Sequence, residues 1–164
     1  MWTTVITGVF ALAGVFVGTA LEPVKNLITA RAKTRQVRGE QCARLIGAAT
    51  VIQQRLVSLN ADFRAERARE QTATDDQRSG WIQEVNDGKA ALRQSSDLLF
   101  LYGPDVLARK AREVRDAELA AHKLLESPGT DPDPMTVPAD LDAALQALEK
   151  TTLDFAVLAR RYTR

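Results

Sequence analysis

Rows of apolar side chains spaced three, four or seven residues apart constrain this 164-residue chain more than any other feature. Cys42, Leu45, Ala49, Ile52, Leu56, Leu59 and Phe63 form the first row, and Trp81, Val85, Gly88, Leu92, Ser95, Leu99 and Tyr102 the second. Leu107, Ala111, Val114, Ala121 and Leu125 form a third, and Leu141, Leu145, Leu148, Phe155, Leu158 and Tyr162 a fourth. This period sets each row on one face of a helix, and a helix with one apolar face must bury it against others. Ala, Leu, Arg, Glu and Gln recur while β-branched residues are scarce after residue 60, so the expected class is all-α.

Punctuation between the rows sets the connections. The first of these helices runs through "RAERARE" and is expected to end near Gln71, with Thr74 or Asp75 as N-cap of the next. Gly103 suits a helix C-terminus and Pro104 the first turn of a third helix. "SPGTDPDPMTVP" reads as a proline-rich loop over 127–138, after which Asp140 caps a fourth helix. Short connections favour antiparallel neighbours, so residues 42–164 read as an up-down-up-down four-helix bundle. Tyr102 should then return to about the level of Leu45, with the C-terminal "ARRYTR" at the same end.

The N-terminal region obeys a different rule. Trp2 to Leu21 carries no charge over twenty residues, nine of them Val, Ile, Leu or Phe. A helix of that length spans ~30 Å, the thickness of a bilayer's hydrocarbon core. A secretory signal would place Lys or Arg before the run, and none is there, although "GTA" at 18–20 resembles a cleavage site. The basic residues Lys25, Arg31, Lys33, Arg35 and Arg38 instead follow the run. By the positive-inside rule the N-terminus lies outside and the bulk of the chain in the cytoplasm. The reading is a transmembrane anchor over 1–22, a basic juxtamembrane stalk over 23–41 and a cytoplasmic bundle. Pro23 should bring a kink or a fresh helix start. Along the anchor, Thr7, Ala11, Gly14 and Gly18 form a small-residue stripe on one face, suited to helix–helix association. The basic stalk residues suit anionic headgroups, each worth ~1 kcal/mol near a surface.

Chemistry is sparse. Residues 41–164 balance seventeen basic against nineteen acidic groups, whereas residues 1–40 hold five against two. Such a mixed field does not suit nucleic acid. Cys42 is the single cysteine, so an intrachain disulfide and a cysteine metal cage are excluded. His122 is the single histidine and follows Glu118 by four residues, which does not repeat as a di-iron bundle would require. A Cys42–His122 pair is conceivable, but a buried seam cysteine is the simpler reading. No nucleophile elbow, glycine-rich phosphate loop or calcium loop is present. The run "LLFLYG" holds more apolar residues than one helix face takes, which makes Phe100, Leu101 and Tyr102 a candidate contact patch.

The order of short N-terminal span, "EPV", Arg-rich stalk, "EQCARLI" and terminal "ARRYTR" resembles small single-pass membrane proteins of high-GC actinobacteria and their phages. The excess of sixteen arginines over six lysines agrees with that background. The resemblance implies no activity. The expectation is a non-catalytic, self-associating scaffold that uses no cofactor or metal, with lipid, a second copy and a further protein as partners. Two alternatives stand beside it: a subunit of a larger assembly, phage-derived in origin, whose apolar helix packs on protein, and an exported chain cleaved after Ala20.

Overall fold

A computed structural model describes the backbone of residues 2–126 and 137–163, with side chains over 29–66, 68–125 and 140–163. Among these residues there are four helices and no strand: α1 (Trp2–Ala68), α2 (Asp75–Tyr102), α3 (Asp105–Glu126) and α4 (Val137–Thr163). The chain divides into two compact units, Met1–Val37 and Arg38–Arg164.

In the first unit the helical assignment of α1 continues through Pro23, so the expected fresh start is not found. Proline removes one backbone hydrogen bond but its fixed φ is helical, and good helix formers on both sides can carry the assignment across. Residues 29–36 are exposed on every face. The Thr34 hydroxyl donates back to the Ala30 carbonyl at 2.9 Å, the usual way a helical threonine satisfies itself without a neighbour. Among the described residues no helix is long and apolar enough to cross a membrane; the charge-free run 2–21 lies outside the described side chains.

The second unit is the helical bundle. Arg55 of α1 meets Glu84 of α2 at 2.6 Å, and Asp62 meets Arg78 at 2.5 Å, so numbers fall along α2 as they rise along α1. Arg64 meets Asp142 at 2.8 Å, and a Cβ on Gly39 would lie 3.8 Å from Thr163, which makes α4 antiparallel to α1 as well. One core joins all four helices, with Leu45, Ile52 and Leu56 of α1, Leu92 and Leu99 of α2, Leu107 and Val114 of α3, and Leu148 and Phe155 of α4 almost wholly buried. Each such side chain contributes roughly 1.5–3 kcal/mol of transfer free energy. At Gly88 a Cβ would fall 2.7 Å from the Ile52 side chain, so glycine sets how closely α1 and α2 approach.

Six seam residues depart from the expected burial. Phe63 is 40% exposed at the mouth of a cavity between α1, α2 and α3, Tyr102 is 56% exposed at the last turn of α2, and Trp81, Leu125, Leu158 and Tyr162 are half-buried. Helix ends also move. α1 stops at Ala68, three residues before Gln71, in a Schellman closure: Glu70 N donates to Ala65 O at 2.9 Å and Arg69 N to Glu66 O at 3.2 Å, with Arg69 at φ 56°. Thr74 caps α2 in a full capping box with Gln77. α4 begins at Val137 rather than at Asp140, since Pro138 fits a first turn where its missing N–H would have no partner. Residues 127–136 of the expected proline-rich loop lie outside the described residues. The earlier end of α1 brings Tyr102 opposite Arg38, seven residues nearer the N-terminus than Leu45: Arg38 Nη2 donates to the Tyr102 carbonyl at 3.5 Å.

Candidate functional site

The end of the bundle where α2 turns into α3 carries the largest departure from ordinary burial. Leu99 points inward at 1% exposure, and each following residue of α2 rotates by about 100°. Three successive large side chains therefore leave the seam, and Phe100, Leu101 and Tyr102 are 67%, 68% and 56% exposed. Val106, at the start of α3, adds a fourth at 40%. The turn itself is two residues long. Gly103 N donates to the Leu99 carbonyl at 2.8 Å, and the Pro104 carbonyl accepts from Leu107 N at 2.9 Å and Ala108 N at 3.1 Å. Gly103 has an extended φ of −94°, so the glycine is needed for space: a Cβ there would collide with the Leu99 carbonyl.

Cations stand at the same end. α4 finishes with Arg160 and Arg161, both exposed, and Arg38 lies half-buried with its guanidinium at the end of α2. Aromatic and aliphatic side chains flanked by arginine are the composition of contact surfaces, in protein interfaces and at lipid headgroups alike.

The remaining sequence candidates are placed as follows. Thr7, Ala11, Gly14, Gly18 and Lys25 lie outside the described side chains. Arg31, Lys33 and Arg35 are exposed along α1, whereas Arg38 is held against the bundle. Cys42 is 3% exposed, and burial pushes its thiol up to about 11 against the opposing charge of Arg38. A thiol so placed is a core residue without nucleophilic character at neutral pH. His122 lies toward the other end, lining a cavity of about 250 Å³ with Leu56, Leu59, Phe63, Ile82 and Val85. The bundle therefore keeps Cys42 and His122 apart. Among the described residues no three His, Cys, Asp or Glu side chains come together as metal ligands would.

One residue escaped the sequence reading. Glu118 occupies the α3 seam between Val114 and Ala121 and is only 3% exposed. The seven-residue gap in the third apolar row was its signal, since the missing member of a 4-3-4-3-4 row falls at position 118. Burial raises the Glu118 carboxyl above the usual carboxylate range, and Lys89, His122 and Arg115 oppose that rise. Its Oε1 is buried and finds no hydrogen-bond partner among the described residues.

No known protein family, no curated protein and no solved structure matches this chain.

Proposed function

We propose that the chain is a non-catalytic, membrane-anchored interaction module, in which the run 2–21 spans the bilayer and the helical bundle docks a protein partner in the cytoplasm. One observation carries the docking role: Phe100, Leu101 and Tyr102 are all more than half exposed in succession, at one end of a bundle whose apolar rows are otherwise mostly buried. Polar side chains at those positions would cost the fold nothing, so their apolar character serves an intermolecular contact. Tyrosine and arginine are among the residue types that dominate binding energy at interfaces, and phenylalanine is enriched there. The anchor is supported by charge: twenty residues without an ionised group precede five basic ones before residue 40. Self-association through Thr7, Ala11, Gly14 and Gly18 adds avidity to each docking contact.

Carbonate extraction of native membranes tests the anchor. The full-length chain should stay in the pellet, and release into the supernatant would remove the spanning helix. Substituting Gly14→Ile with Gly18→Ile should lower the oligomeric state in detergent, and an unchanged state would remove the stripe from the mechanism.

A further inference from the structure

We propose that the groove between α2 and α3 is a binding site for a small tetrahedral oxyanion, with Glu118 as the hydrogen-bond donor in its floor and Lys89, Arg93 and Arg115 as its cationic rim. The groove encloses about 460 Å³ and is lined by these four residues together with the Asn86 amide and apolar walls that include Leu92 and Leu119. Its charge balance is three cations to one acid. Arg115 is shared with Asp97 at 3.6 Å on the exposed side of the groove, which leaves Lys89 and Arg93 as the cations of the rim without an ion pair among the described pairs.

Glu118 makes the groove a built site. At 3% exposure with an unpartnered Oε1, it is a group that folding alone does not favour. A leucine or alanine would complete the third seam, and burying an unsatisfied carboxyl in its place works against stability. The retained acid needs an occupant to satisfy it. A cation is excluded by the rim, because it would sit among Lys89, Arg93 and Arg115. An oxyanion suits both parts once Glu118 carries a proton: the rim supplies charge and the carboxyl supplies an O–H donor in place of a repelling charge. The charged groups acting on Glu118 are Lys89 from α2 and His122 and Arg115 from its own helix. Lys89 and Arg115 favour the ionised form and bury their charge more easily when an anion neutralises them. Binding of the anion therefore shifts Glu118 toward its protonated form and takes up a proton.

Calorimetric titration of the full-length protein in a neutral sugar detergent with sodium sulfate, at constant ionic strength, tests this. Sulfate stays a dianion between pH 5.5 and 8, so any pH dependence belongs to the protein. Saturable binding should be about fivefold or more tighter at pH 5.5 than at pH 8, the direction required when binding takes up a proton. Glu118→Gln keeps a donor without a proton to exchange, so it should bind at both pH values with a flat profile. Lys89→Ala and Arg93→Ala should each weaken binding about fivefold or more at either pH, as the loss of a charge-assisted contact requires. A non-saturable response, or one indifferent to the rim substitutions, overturns the site. A pH dependence that survives Glu118→Gln but vanishes in His122→Asn moves the proton to the histidine and overturns the role of Glu118. Inorganic phosphate and methyl phosphate, titrated in parallel, separate a free ion from a phosphorylated small molecule as the physiological source.

Discussion

The two turns that join α1 to α2 and α2 to α3 sit at opposite ends of the same bundle and are built on opposite principles. The first, over 69–74, is held by polar side chains. Asp62 is 7% exposed and its carboxylate accepts from the Ala73 N–H and from Arg78 Nε, each at 2.5 Å. Arg78 reaches Glu66 as well, at 3.3 Å, and Thr74 with Gln77 closes the capping box. The second, at Gly103 and Pro104, is closed among the described residues by backbone hydrogen bonds and the Arg38 contact to Tyr102, and it leaves large apolar side chains uncovered. One end uses its side chains to fix the fold. The other leaves them exposed.

Removing side chains at the two ends should therefore have opposite consequences. Asp62→Ala should cost the most, about 2–4 kcal/mol in denaturant unfolding, because a buried carboxylate is lost and the Ala73 N–H loses its partner. A loss below ~1 kcal/mol would mean that the first turn is held by its apolar contacts instead. At the second turn the largest effect should come from adding an atom. Gly103→Ala should destabilise by about 1–3 kcal/mol, read by the same melt, since its Cβ meets the Leu99 carbonyl.

Glu118→Gln lies between the ends and should stabilise the fold at neutral pH by on the order of 1 kcal/mol. Its sign follows from linkage. The folded carboxyl binds its proton more tightly than the unfolded one, so the stability tied to this group is full below the ordinary glutamate range. It is lost as pH rises through the folded value. Unfolding free energy measured from pH 4 to 8 should fall across that window in the parent and lose this component in the glutamine variant. Arg69→Gly should add about 1 kcal/mol at the first turn, since Arg69 holds a left-handed φ of 56° that glycine adopts without strain. Smallest of all, Phe100→Ser with Leu101→Ser should change stability by less than about 0.5 kcal/mol while abolishing partner docking in a cross-linking assay. A large loss of stability in that double variant would turn the patch into a structural feature and erase the contrast.

Much of the bundle was legible in the sequence because helical periodicity is a local property. Leu45, Ile52, Leu92, Val114 and Leu148 each recur at spacings that only one face of a helix can gather, so their burial needed no knowledge of the neighbours. Thr74 and Pro104 were legible for the same reason, since capping and proline chemistry act within one turn. The candidate patch was half legible. Too many apolar residues in "LLFLY" announced a surplus, but which of them the neighbours leave uncovered is set by how the other helices pack around the last turn of α2. Tyr102, placed on the seam by its spacing, is exposed for that reason.

By itself the sequence determined four helices, their apolar faces, the charge-free run at 2–21 and the absence of a repeated metal or nucleophile motif. The tertiary structure alone decided that Glu118 is buried, that Asp62 serves a turn eleven residues away, and that Arg38 belongs to the bundle. The physical reason is the range of the forces involved. Helix propensity and periodicity are set within a few residues, whereas burial of a charge depends on which other helices close over it.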